Sequence, residues 1–238
     1  MRIVIGAMAR SGSTWTFNAV RRLAIEKYGL EKVNAADNRL FKPIPDMDVE
    51  IIKTHATDGQ QLPADVVITC IRDIRDAFTS AVAAGIVEVA GYTRNGFNQC
   101  CIDAMELLFV SPSYFWSQHA DVVVRFEDLF YRKLEMLKWL GNQIWPEHRF
   151  EDDRLRKIAI VLDLMPHVYG DGFVGDAADE RGFLHGDRHI QGIGVYGHIN
   201  YLPVPDAAAI ETAFPQWFEY FNYPLTTDYQ EIEELLYE

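Results

Sequence analysis

Residues 2–28 leave few folds open to this chain. Arg2-Ile3-Val4-Ile5-Gly6 is an apolar run that predicts a short buried strand. After it, apolar residues at Phe17, Val20, Leu23, Ala24 and Tyr28 keep helical spacing. Between the two lies Ala9-Arg10-Ser11-Gly12-Ser13-Thr14-Trp15, one cation among small residues and then an aromatic. A loop of small residues leading from a strand into a helix N-terminus turns backbone N–H groups towards an anion. Taken alone, the same stretch also reads as a plain strand–helix connection with Ser or Thr as the cap.

The remainder repeats the alternation. Val49–Lys53, Asp65–Ile71 and Asp121–Phe126 predict strands, the second rich in β-branched residues as in a sheet covered on both faces. Helical patterns run over 76–87, 97–109 (ended by Pro112), 127–144, 152–164 and 205–220. Strand and helix in turn predict an α/β fold: a three-layer sandwich with a mainly parallel central sheet, P-loop NTPase-like, as one domain over 1–238. Residues 169–198 break the pattern. They are punctuated by glycines and hold Arg181, His185, Arg188, His189 and His198, and a long irregular loop of that kind predicts function. From Asp228 the tail is acidic, with Ile232, Leu235 and Leu236 on a docking face that leaves a homo-oligomer open.

A net charge of −13 excludes nucleic acid and anionic membrane surfaces as expected partners. It does not exclude a small anion, because a few convergent cations dominate the field inside a cleft. No apolar run reaches membrane-spanning length. The 3 cysteines, two of them adjacent at Cys100 and Cys101, offer neither a disulfide framework nor metal-ligand spacing. The expectation is a cytoplasmic, reducing setting and no metal.

A triphosphate-binding loop reads G-x-x-x-x-G-K-[ST]. Aligned on Gly12-Ser13-Thr14, its lysine falls on Ser13 and its first glycine on Ala7, so the lysine that reaches the β and γ phosphates is missing. Arg10 supplies a cation earlier in the loop. Such a cradle suits a single phosphate group rather than a triphosphate chain.

Arg10-Ser11-Gly12-Ser13-Thr14-Trp15 after a strand resembles the 5′-phosphosulfate loop of sulfotransferases that use 3′-phosphoadenosine 5′-phosphosulfate (PAPS), with Arg10 where many members carry lysine. Further segments follow in family order. Lys53-Thr54-His55 resembles the K-T-H segment whose histidine is the catalytic base. The stretch from Arg72 through Asp76 to Ser80 resembles R-x-P-x-D-x-x-x-S, with Ile74 in place of proline. Arg125-Phe126-Glu127-Asp128-Leu129 resembles Y-E-D-L, with Phe126 in place of tyrosine. Arg188-His189-Ile190-Gln191-Gly192 resembles the basic glycine loop, for which Arg181-Gly182 is the other reading.

The resemblance implies a role for each residue. Arg10 and Lys53 offset charge on the bridging oxygen. Backbone N–H groups of Ser11, Gly12, Ser13 and Thr14 hold the 5′-phosphate. Trp15 and Phe126 lie near the adenine. Arg72, Ser80 and Arg188, with His189 and Gly192 in the same loop, take the 3′-phosphate. His55 takes the acceptor proton, and a lysine two positions away disfavours the charged imidazole. PAPS would be the donor, 3′,5′-bisphosphoadenosine (PAP) the product, and a small-molecule or carbohydrate hydroxyl the acceptor. Two rivals remain open at this level: a nucleotide-dependent kinase of P-loop fold, against which the missing lysine stands, and a non-catalytic nucleotide-binding module.

Overall fold

A computed structural model of the chain describes residues 1–57, 63–85, 92, 96–168 and 194–226. Arg181, Arg188, His189, Gly192 and the acidic tail lie outside the described residues. In chain order the elements are β1 (Arg2–Gly6), α1 (Ser13–Tyr28), β2 (Val33–Asp37), β3 (Val49–Thr54), β4 (Val66–Ile71), α2 (Ile74–Ala83), α3 (Gln99–Met105), α4 (Ser111–His119), β5 (Val122–Arg125), α5 (Phe126–Tyr131), α6 (Lys133–Ile144), α7 (Asp152–Val168), α8 (His198–Tyr201), α9 (Val204–Ala213) and α10 (Pro215–Phe221). They fall into two compact units: Met1–Arg72 with Pro112–Ile190, and Asp73–Ser111 with Gln191–Glu238.

The first unit is built on a five-stranded sheet of order β2-β3-β1-β4-β5. Every pairing is parallel. β1 is central, and its apolar run is buried on both faces. Ile3 and Ile5 pack with Phe17, Val20 and Leu23 of α1 and with Leu137 and Leu140 of α6 and Leu155 of α7. Val4 faces the other way, against Ile52 and Trp116 of α4. Helices therefore cover both faces of the sheet, the layering that the unbroken hydrophobic strands predict. Gly6 ends β1 where the Trp116 ring lies flat on the backbone; a Cβ there would meet ring atoms at 2.2 Å. α1 stops at Gly29, whose φ of 89° turns the chain out of the helix while its N–H closes on the Ile25 carbonyl.

The second unit is aromatic and helical among the described residues. Phe78 of α2 meets Tyr92 and Phe97 edge-to-face, and Trp217 of α10 stacks on Tyr223 at 5.2 Å. Within it Arg75 is fully buried. Its guanidinium bonds both carboxylate oxygens of Asp73, the Glu211 carboxylate, the Thr226 hydroxyl and the Pro224 carbonyl, and lies 4.8 Å from the Phe218 ring centroid.

Four elements differ from the sequence expectation. Pro112, expected to end a helix, instead sits in the first turn of a further one, α4, which starts at Ser111. β2, Val-Asn-Ala-Ala-Asp, has too few β-branched residues to stand out, and its pairing to β3 is what makes it a strand. The helix expected over 127–144 breaks at Arg132, which leaves helical geometry at φ −133°. The one expected over 205–220 breaks at Phe214, because Pro215 cannot continue a helix and instead opens α10. No helix among the described residues is long and apolar enough to cross a membrane.

Candidate active site at the strand ends

Parallel pairing brings the carboxyl ends of the strands to one edge of the sheet. The register pairs Gly6 with Thr54, Asp37 with Lys53 and Ile71 with Arg125. Four of the five strands lead at that edge into a residue singled out above: Arg10 to Thr14 after β1, His55 after β3, Arg72 after β4 and Phe126 after β5. In open α/β sheets this edge is where ligands bind.

The β1–α1 loop has two residues in left-handed geometry, Arg10 at φ 62° and Gly12 at φ 86°. Glycine adopts it freely, whereas arginine there carries a strain of roughly 1–3 kcal/mol. Gly12 also lies close against its neighbours. A Cβ on it would lie 2.9 Å from the Leu129 side chain and 3.0 Å from the Phe126 ring. Gly12 caps α1 with no side-chain hydrogen bond, while the buried Ser11 hydroxyl donates to the Met8 carbonyl at 2.8 Å. Ser11 is thus spent on holding the loop's shape. Ser13 is buried and Thr14 half-buried at the start of α1. Trp15 packs against the core beneath the sheet, and its buried indole N–H finds no acceptor among the described residues.

Arg72, only 3% exposed, donates to the Arg10 carbonyl at 3.1 Å and holds its guanidinium carbon 4.0 Å from the Phe126 ring centroid. Three residues far apart in sequence therefore meet at one loop. Burial, and then the Arg72 charge, push the Arg10 guanidinium down to about 10. Two cations held in mutual repulsion out of water make a place that favours an anion.

On β3, Lys53 is 5% exposed and His55 follows at the surface. His55 Nδ1 lies 2.7 Å from the Ala7 carbonyl, which can only accept, so Nδ1 carries the proton. Nε2 is then the acceptor, 3.1 Å from Lys53 Nζ. One carbonyl and one amine fix the neutral tautomer and aim its lone pair. Burial lowers the Lys53 ammonium below its usual range and the nearby Asp37 carboxylate opposes that. Asp37 is itself 8% exposed; burial would raise it, but the Arg39 hydrogen bonds and the Lys53 charge outweigh burial and hold it below the usual carboxylate range.

In the second unit Ser80 is buried on α2. Asp76, within the Arg72–Ser80 stretch, is wholly buried and accepts the Tyr196 N–H at 2.8 Å, the His198 N–H at 2.9 Å and a bond from His198 Nδ1 at 2.6 Å. Its partners lie more than a hundred positions downstream, and no local pattern announces them. Asp37 escaped the sequence reading for a related reason, since it ends the strand that the sequence did not show.

No family model matches the chain, and no curated protein sequence matches it significantly. Solved structures do. The mouse sulfotransferase SULT7A1 complexed with PAP superposes with a TM-score of 0.58 at 15% identity, covering 91% of this chain and 83% of that one. Retinol dehydratase in complex with androsterone and inactive cofactor PAP gives a TM-score of 0.58 at 12% identity, with 91% and 80% covered. The chain has the sulfotransferase fold. At these identities the likeness is one of architecture. What the sulfotransferase fold does in this chain has to be argued from the side chains at its strand ends.

Proposed function

We propose that the chain is a sulfotransferase that moves a sulfuryl group from PAPS to the hydroxyl of a small-molecule or carbohydrate acceptor. The observation that carries the reading is His55, held as the Nδ1–H tautomer by the Ala7 carbonyl with Lys53 at its other nitrogen, beside a cationic loop that lacks the triphosphate lysine. A kinase needs that lysine; a sulfuryl donor needs one 5′-phosphate held and its bridging oxygen neutralised.

In this scheme the N–H groups at the start of α1 and Arg10 bind the 5′-phosphate. Arg72 takes the second phosphate, the group that separates this donor from an ordinary adenine nucleotide, with Phe126 behind it. As Lys53 Nζ turns from His55 Nε2 to the bridging oxygen, the freed lone pair on Nε2 takes the acceptor proton while the acceptor oxygen forms its bond to sulfur. The bond from sulfur to the phosphate oxygen breaks, and its electron pair stays on that oxygen, where Lys53 and Arg10 stabilise it. The work is positioning and electrostatics, as in phosphoryl transfer. The three cysteines are free thiols, which supports a reducing, cytoplasmic setting.

Two measurements test the reading. PAP should bind far more tightly than adenosine monophosphate in a calorimeter, and Arg72→Ala should erase most of the difference; equal affinities rule the assignment out. His55→Ala should cut transfer of label from PAPS to an acceptor panel by about 10²–10⁴-fold while PAP affinity stays within a few-fold. Undiminished turnover removes His55 as the base.

A further inference from the structure

Lys53 is an expensive residue to place at 5% exposure on a central strand. Burial drives its ammonium towards the neutral amine. Asp37 at the end of the adjacent strand β2, Arg39 just after it, Cys70 on β4 beyond β1, and His55 just after β3 all act on it. The Cys70 thiol is pushed up to about 12 by burial, so near neutral pH it carries no charge to offer. Arg39 is a like charge, on a side chain 77% exposed. Asp37 remains. It is the register partner of Lys53 across β2 and β3, it is buried, and the Asn38 N–H donates to the Lys53 carbonyl at 2.8 Å, which pins the two backbones together.

We propose that Asp37 is a positioning residue for Lys53: it is the counter-charge that keeps the buried side chain an ammonium, able to donate to His55 Nε2 and to carry positive charge into the reaction. Arg39, through its 3.0 Å bond from Nε to Asp37, aims that carboxylate and at the same time partly competes for it. The electrostatic claim rests on the register pairing and burial of the two residues and on the pull of Asp37 on the Lys53 ammonium; only its kinetic consequence rests on the sulfuryl-transfer reading.

The direct test is the titration of Lys53 followed by nitrogen NMR in the full chain, with Lys53→Arg assigning the signal. In Asp37→Asn the midpoint should move to lower pH by about one to three units, and Asp37→Glu should restore most of it. Arg39→Gln should move it the other way, to higher pH, and this exposed substitution keeps the claim testable should Asp37→Asn fail to fold. Where the reading of the reaction also holds, the alkaline limb of kcat/KM falls with the Lys53 midpoint in Asp37→Asn, a change that a merely structural loss would not produce. A Lys53 midpoint unmoved in Asp37→Asn, or unmoved in Arg39→Gln, overturns the inference whatever the activity. A moved midpoint beside an unmoved rate limb supports it and counts instead against Lys53 in the reaction.

Discussion

The chain buries arginine in two different ways. In the second unit, Arg75 is enclosed by Asp73, Glu211, Thr226, the Pro224 carbonyl and the Phe218 ring. In the first, Arg72 donates to the Arg10 carbonyl and lies over the Phe126 ring, and the charges of Arg10 and Arg72 repel. Arg75 satisfies both its charge and its donors inside the protein, so it serves the fold. At Arg10 burial and the Arg72 charge weigh against the charged form, yet at about 10 the guanidinium stays protonated near neutral pH, at a cost. That cost is what an incoming phosphate would relieve. The same residue type is therefore a structural clamp in one unit and, on our reading, a ligand-binding group in the other, and the surroundings decide which.

The sharpest way to break this contrast is to remove the clamp. Arg75→Ala leaves Asp73 and Glu211 facing each other's surroundings without their cation. Breaking a buried pair from one side costs about 3–5 kcal/mol. Urea unfolding should show a matching drop in midpoint, and a loss below about 1 kcal/mol would erase the distinction drawn here. Arg10→Gly should do the opposite. Burial and the Arg72 charge lower the Arg10 guanidinium to about 10, so the substitution should raise stability, with relief of the left-handed strain adding to it. The sign follows from linkage. The folded value lies below the unfolded one for a base, so the penalty is complete below about pH 10 and fades as pH rises towards the unfolded value. The substitution should also abolish the rise in melting temperature that PAP produces in the parent chain, worth about 2.7 kcal/mol at a hundredfold excess over Kd. Stability gained and binding lost in one variant is the signature of a strained functional residue.

Gly6→Ala probes the frame that carries the edge. Its Cβ would overlap the Trp116 ring at 2.2 Å, so Trp116 must leave the sheet face. Overpacking of this kind costs about 1–3 kcal/mol. Near-neutral stability would mean that the Trp116 layer is looser than the packing implies.

The sheet was legible in the sequence wherever burial was two-sided. Ile3–Ile5 and Val66–Ile71 are continuous apolar runs, and a covered parallel strand has no polar face to interrupt it. β2 was not legible, because at the edge of the sheet it is made by its hydrogen-bonded neighbour rather than by its own side chains. Of the candidate site, the β1–α1 loop is a local pattern of strand, small residues, cation and helix, whereas Lys53 and His55 stood out only through the resemblance of Lys53-Thr54-His55 to the K-T-H segment. Asp37 and Asp76 could not be read locally, because one acts across a strand pair and the other on residues over a hundred positions away. Short motifs report which groups can do chemistry. They are silent on the buried charges that hold those groups in the right protonation state and place.

The smallest effect is the most specific to the first-unit arrangement. Phe126 stands where the resemblance expects tyrosine, and its ring takes the Arg72 guanidinium at 4.0 Å. A cation over an aromatic face is worth roughly 0.5–2 kcal/mol, more as water is excluded, and Arg72 is nearly wholly buried. Phe126→Leu keeps the apolar volume and removes the π face. Because it also alters packing around Gly12, the single variant is ambiguous, and a double-mutant cycle with Arg72→Met isolates the pair. A coupling of about 0.5–2 kcal/mol in urea unfolding supports the contact. Phe126→Tyr should leave that coupling intact, since the ring face is unchanged. A coupling near zero would mean that the Phe126 ring contributes nothing to holding the Arg72 guanidinium.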